Sequence, residues 1–268
     1  MTSAMSDTYE LYAIRYGRHP RKAAENFIQD DDHETDMPLD YFVWAIVGES
    51  KTWVLDTGFD PDVAKRRGRI MIRPIEEGLQ AIGVDRSTVA DVIVSHMHYD
   101  HAGNLGAFPG ARFHLQEAEM AYCTGRCMCH PLMRYAFEAQ DVAAMVHKVF
   151  EGRVQYHDGT SELAPGLILH KLGGHTKGLQ VAQVKTKRGW VVLASDATHL
   201  YANLERNHPF PVLADVGDYL DGLDTLRRLA SSPDHIIPGH DPLVLERYPL
   251  ARPGVEGIVR VDLNPRAS

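Results

Sequence analysis

The sequence predicts an α/β fold in which mixed sheets carry helices on their outer faces. Short apolar or alternating runs arrive in clusters, polar Gly-containing connections of hairpin length join several of them, and helical periodicity follows the clusters rather than alternating with single strands. Strands are expected at Tyr9 to Tyr16, Tyr41 to Val47, Thr52 to Leu55, Val89 to Val94, Arg112 to Leu115, Leu167 to Leu172, Leu179 to Thr186, Trp190 to Ala194 and His235 to Ile237. Gly48-Glu49-Ser50-Lys51 and Lys187-Arg188-Gly189 are short enough to join their neighbours as antiparallel pairs. A helix is expected over Pro74 to Ile82, with Pro in its first turn and Gly83 just past its end. A second runs from Asp218 to Leu229, with Leu220, Leu223, Leu226 and Leu229 three apart, and a third over about Arg134 to Val149. Trp53-Val54-Leu55-Asp56 and Trp190-Val191-Val192-Leu193-Ala194-Ser195-Asp196 each follow a polar hairpin and end an apolar strand with an aspartate.

The 268 residues, 44% hydrophobic and 24% charged, have a globular composition without low-complexity linkers, so residues 1–268 are expected to form one domain. With 28 basic and 36 acidic side chains the formal charge is −8, which argues against general nucleic-acid binding. Lys65-Arg66-Arg67-Gly68-Arg69 and Asp30-Asp31-Asp32 read as solvated loops. No apolar stretch reaches membrane-spanning length, and Met1 to Asp7 shows neither the basic nor the apolar part of a secretion signal. A cytoplasmic protein with no membrane partner is expected. Cys123, Cys127 and Cys129 lie too close together for a disulfide framework and, with His130, lack the paired halves of a zinc knuckle, so reduced and partly buried thiols are expected. Residues 17–38 are polar and irregular, an arm or lid by length. Residues 117–152 carry a Met- and aromatic-rich stripe suited to helical packing, or to a cap over an apolar substrate with Met128 and His130 facing it.

Histidine decides the chemistry, with fifteen copies in the chain. Ser95-His96-Met97-His98-Tyr99-Asp100-His101-Ala102-Gly103-Asn104 follows the strand Val89 to Val94. If the extended backbone persists, period-two geometry turns His96 and His98 to one side, and the next turn brings Asp100 and His101 beside them. Three imidazoles and a carboxylate in six positions, with Gly103 permitting a close backbone approach, are metal ligands rather than packing. They fill only part of two coordination spheres. His175 in a glycine-framed loop, Asp196 at the end of an apolar run and His240 in Pro238-Gly239-His240-Asp241 each follow a strand and so can converge on the same sheet edge.

This ordered set resembles the metallo-β-lactamase superfamily, whose H-x-H-x-D-H signature is matched by His96, His98, Asp100 and His101, with Asp56-Thr57-Gly58 similar to its supporting D-T-G turn. The resemblance spans about Tyr41 to Asp241. It implies an αββα sandwich of two mixed β-sheets flanked by helices. It also implies a dinuclear site, with His96, His98 and His175 on one metal, Asp100, His101 and His240 on the other, and Asp196 bridging. Two divalent ions roughly 3.5 to 4 Å apart supply a bridging hydroxide at neutral pH and polarise the attacked carbonyl. Nitrogen and carboxylate ligands suit zinc first, and also iron, manganese or cobalt. The family also implies that Asp100 hands a proton to the leaving group.

Within the superfamily the S-H-M-H-Y-D-H-A-G-N segment is most similar to the N-acyl-homoserine lactonase group, whose quorum-quenching members open a lactone ring. Secreted β-lactamases usually carry a signal peptide and lack the bridging aspartate, while glyoxalase II-type thioesterases add a C-terminal helical domain for which little chain follows His240. The lactonases generally place a tyrosine three residues after the bridging aspartate. Here that residue is His199, with Tyr201 close by, so both are candidates to orient substrate. The change leaves room for a related lactone, including one from aromatic-compound catabolism, or for another ester or thioester. The resemblance further implies a homodimer, with residues 17–38 or 117–152 at its interface.

Overall fold

Alternation along the strands sorts the chain into layers. A computed structural model describes residues 8–28 and 33–267; the acidic run Asp30-Asp31-Asp32 and the segment Met1 to Asp7 lie outside the described residues. One sheet contains β1 (Glu10–His19), β2 (Leu39–Val47), β3 (Thr52–Leu55), β4 (Ile70–Met71), β5 (Asp91–Ile93), β6 (Arg112–Gln116), β7 (Val154–His157) and β13 (Ile258–Arg260). Its order is β13-β1-β2-β3-β5-β6-β7, with β4 paired to β1. The other contains β8 (Ser161–Ala164), β9 (Leu167–Lys171), β10 (Gln180–Thr186), β11 (Gly189–Ser195) and β12 (Ile236–Pro238), in the order β12-β11-β10-β9-β8.

Leu11, Ala13, Phe42, Trp44, Ile46, Leu55 and Ile93 of the first sheet pack against Leu167, Leu169, Ala182, Val184, Val191 and Leu193 of the second. Their alternate neighbours Ile14, Tyr16, Tyr41, Val43, Val54 and Val92 turn outward onto helices. Each large side chain buried between the sheets contributes roughly 1.5–3 kcal/mol. The helices α1 (Pro61–Arg67), α2 (Ile75–Ala81), α4 (Glu117–Cys123) and α6 (Ala139–Phe150) cover the first sheet, and α7 (Tyr201–Arg206) and α8 (Val216–Leu229) cover the second. The result is the expected αββα sandwich, completed by the short helices α3 (Tyr99–Ala102), α5 (Pro131–Arg134) and α9 (Leu243–Arg247).

All nine expected strands form, and the two polar hairpins join β2 to β3 and β10 to β11 antiparallel. Strands β4, β7, β8 and β13 were not expected: they are two to four residues long and, with the exception of β13, largely half-exposed, so their pattern is weak. The third helix begins at Ala139, because Pro131–Arg134 forms a separate turn of helix. In α8 the buried face is Tyr219, Gly222, Leu223 and Leu226, while Leu220 is exposed. A spacing of three drifts off a 3.6-residue helix, and the i, i+3, i+4, i+7 set stays on one side.

The basic run is not a solvated loop. Asp60 caps α1 by accepting from Val63 N (2.8 Å), Pro61 opens the helix, and Gly68 closes it in the left-handed region at φ +64°. Arg67 lies 4.1 Å from the Tyr99 ring centroid and donates to Glu138 Oε1 (2.8 Å), while Arg66 pairs with Glu138 Oε2 (3.0 Å). The 17–38 segment divides: Gly17 to His19 continue β1, Ala23–Glu25 form a 3-10 turn, and His19, Arg21 and Glu25 line the wall of a central pocket.

Candidate metal centre

Parallel pairing of β3 with β5 and of β11 with β12 points four strand ends at one edge. From these ends emerge Asp56, Ser95-His96, Asp196 and His240, while the loop between β9 and β10 delivers His175. Gln180 ties the sheets together there, its N–H donating to Ser95 O (3.0 Å) and its amide to Val94 O (2.8 Å). Strand β5 stops at Ile93, one residue short of the expected end. His98 is still extended, and α3 carries Asp100 and His101 into place. A Cβ on Gly103 would meet Gly58 O at 2.7 Å and Tyr99 O at 2.8 Å, so this turn closes only around glycine.

The seven expected ligands come together, buried, in two groups. In the first, His98 Nδ1 lies 3.0 Å from His96 Nε2 and 2.9 Å from His175 Nε2, and His175 Nε2 lies 3.0 Å from Asp196 Oδ2. In the second, Asp196 Oδ1 lies 2.9 Å from His240 Nε2 and 3.3 Å from His101 Nε2, with Asp100 Oδ2 at 3.8 and 3.6 Å from the same two nitrogens. Asp196 therefore turns one oxygen to each group.

The opposite ring nitrogens are anchored. His96 Nδ1 lies 3.0 Å from Ser95 Oγ, His101 Nδ1 2.7 Å from Asp56 Oδ2, His175 Nδ1 2.7 Å from Val212 O and His240 Nδ1 3.0 Å from Asp40 O. A backbone carbonyl or a carboxylate there accepts a hydrogen bond from Nδ1–H and leaves the Nε2 lone pair facing inward. His101 Nε2 and Asp196 Oδ1 are buried without a hydrogen-bond partner. Facing lone pairs and orphaned buried acceptors are costly unless a cation lies between them, so the residues fit divalent metal. Burial and the neighbouring imidazoles push His96 and His98 well below the ordinary histidine range, the neutral form a ligand requires. Burial opposes charge on Asp196, but His199 and His240 foremost hold its carboxyl well below the usual range.

His199 lies in the same pocket, its Nε2 3.0 Å from Asp196 Oδ2 and its ring stacked on Phe210 at 3.7 Å. Burial lowers its pKa to about 3. Tyr201 is a correction. It opens α7 with its N–H on Asp241 Oδ2 (2.8 Å), and its ring packs in the core between the sheets with Arg247 3.8 Å from its centroid. The helix turns it away from the pocket that His199 lines. Met128 and His130 are likewise displaced: Met128 lines a separate apolar hollow with Cys123, Tyr135 and Phe137, and His130 is exposed at the start of α5. From the 117–152 segment, Tyr135 and Ala136 line the central pocket instead.

Sequence reasoning missed Glu119. Fully buried in α4, it accepts from Met97 N (2.9 Å), Thr176 Oγ1 (2.6 Å) and Gly178 N (3.0 Å), tying the His96–His98 segment to the His175 loop. A Cβ on Gly178 would stand 2.1 Å from Glu119 N, so the glycine permits this approach. Glutamate in a helix's first turn is ordinary, and only its three distant partners reveal its task.

Two buried His/Asp groups at one edge of an αββα sandwich define a candidate metal centre. Residues 37–240 match the metallo-beta-lactamase superfamily, and the chain belongs to that superfamily. It is similar to an N-acyl homoserine lactonase from a Bacillus species, 27% identical over 191 residues, covering 64% of this chain and 70% of the relative. A solved N-acyl homoserine lactone hydrolase with the product N-hexanoyl-L-homoserine at its catalytic metal center shares the fold, at TM-score 0.73 and 21% identity over 89% of this chain and 96% of the other. A dizinc quorum-quenching lactonase does so at TM-score 0.70 and 15% identity over 99% and 97%.

Proposed function

We propose that this hydrolase opens a lactone ring at a dinuclear centre, most readily a zinc pair. The observation that carries the reading is the division of Asp196, one oxygen toward His96, His98 and His175 and the other toward His101, His240 and Asp100. Bound there, two divalent ions supply Lewis acidity for the ester carbonyl and lower the pKa of water at the site. The chain's own groups do the rest. Asp100, on the pocket wall, receives a proton at Oδ2 and returns it to the leaving alkoxide as the ring opens. His199 is held neutral and fixed by its stack on Phe210, and its Nε2–H on Asp196 Oδ2 orients that carboxylate beside the bound substrate. The lactonases named among the relatives support this choice of ester.

A pH-stat assay on metal-quantified protein tests it, since ring opening releases a proton whatever the chromophore. The panel holds short- and long-chain acyl-homoserine lactones, alkyl lactones, an aromatic lactone and a glutathione thioester. Lactone turnover with two metals per chain is expected. Turnover of the thioester alone overturns the lactone reading, and one metal per chain overturns the dinuclear one.

A further inference from the structure

Above the cluster, the pocket wall is basic. Its cavity of about 160 Å³ is lined by Arg21 and Arg69 together with Tyr41, Tyr99 and His199. Arg69 donates from Nε to Tyr99 Oη (2.9 Å) and from Nη1 to Arg67 O (2.7 Å), and its Nη1 lies 3.0 Å from His19 Nε2. Arg21 donates from Nη2 to Glu25 O and lies 5.1 Å from the Phe210 ring centroid, while its Nε is buried without a partner. Among the described residues, neither guanidinium has a carboxylate within ion-pair distance. The Glu25 carboxylate, on the same wall, accepts from Lys22 N at 2.8 Å. Burial together with Arg69 and Arg21 lowers the pKa of His19 to about 4, so the imidazole beside Arg69 is neutral. Two half-buried guanidiniums on the wall of a reaction pocket, one of them with a buried Nε that has no partner, present donors to an anionic group of a bound substrate.

We propose that the substrate carries a carboxylate of its own, seated by Arg69 and Arg21 while its scissile ester lies on the His/Asp cluster. This rests on the ester-hydrolase reading and narrows it to acidic lactones. The planar fork of arginine matches a carboxylate edge to edge. Phe210 links the two ends of the pocket, since it stacks on His199 and also carries Arg21 over its ring.

The test compares γ-butyrolactone bearing a ring carboxylate with its carboxamide, in wild-type, Arg69→Met and Arg21→Met enzymes. In the wild type, kcat/KM for the acid should exceed that for the amide by roughly ten- to hundred-fold, the range of a charged hydrogen-bonded pair. Either variant should lower kcat/KM for the acid by a larger factor than for the amide and so erase most of that preference. Equal turnover of acid and amide by the wild type, or equal losses on both in the folded variants, overturns the proposal. A binding arm measures glutarate against its monomethyl ester by calorimetry. Tighter binding of the diacid that disappears in Arg69→Met is expected, and equal binding overturns the carboxylate seat. If neither lactone turns over, the lactone reading falls while the calorimetry still decides the seat.

Discussion

The two strand ends that look alike in sequence, Leu55-Asp56 and Ser195-Asp196, serve opposite sides of the same histidines. Both reach their aspartate through a non-glycine residue in the left-handed region, Asp56 itself at φ +66° and Ser195 at φ +44°. Such backbone is sparsely populated and persists where surrounding structure holds it. Asp56 then points at the backs of the ligands: it accepts from Ser95 N (2.7 Å) and from Ser95 Oγ (2.9 Å), and holds His101 Nδ1 at 2.7 Å. Asp196 points at their fronts and divides between the two groups. Similar local sequence thus yields a carboxylate behind the histidines on one sheet and, on the other, a carboxylate shared between the two groups. The difference lies in which ring nitrogen each carboxylate meets.

Removing the front carboxylate should cost most. Asp196→Ala should lower turnover by more than about 10³-fold, corresponding to several kcal/mol of lost charge stabilisation, and should leave the protein with less bound metal by elemental analysis. Full activity with full metal content would dissolve the distinction between the two strand ends. Asp56→Asn keeps the shape but removes the charge behind His101, so metal affinity should fall by roughly 10–100-fold in a competition titration with a chelating dye. A loss as large as that of Asp196→Ala would make Asp56 more than a support. Next comes Ser195→Ala, which deletes the buried hydroxyl that donates to Ser95 Oγ (2.9 Å). It should cost about 1–3 kcal/mol in denaturant unfolding, with metal content retained.

The smallest effect on activity belongs to a carboxylate at neither strand end. Burial, then Glu138 and Asp60, pushes Asp141 up to about 7. In the unfolded chain an aspartate titrates near about 4, so between these values the folded form keeps a proton that the unfolded form has lost. Its contribution to stability is therefore present at low pH and lost as pH rises through about 7. Asp141→Asn should raise Tm relative to the parent at pH 8 but not at pH 4, with turnover unchanged. A Tm difference independent of pH would place the cause elsewhere.

Much of this molecule is legible in one dimension. Strand alternation is set by which face of each residue is buried, and it survives in the sequence because Leu11, Ala13, Phe42, Trp44 and Ile46 share one face while Ile14, Tyr16, Tyr41, Val43 and Ala45 share the other. The seven His and Asp residues were legible because four of them sit within six positions and the rest end apolar runs. Helix α1 was hidden, since its seven residues bury only Val63 and Ala64 and its charged face reads as loop. The substrate-facing side chains were harder. Tyr201 and His199 are two residues apart, yet α7 begins between them and sends one toward Arg247 and the other toward Asp196.

The sequence by itself determined the layers and the candidate ligand set, because burial periodicity and ligand chemistry are properties of residue type and local spacing. Only the tertiary structure decided how Asp196 divides, what Glu119 ties together and that Arg21 and Arg69 share one wall with Tyr99. These are meetings between residues far apart in the chain. Their geometry is set by which strand ends reach the same edge, and no local pattern records it.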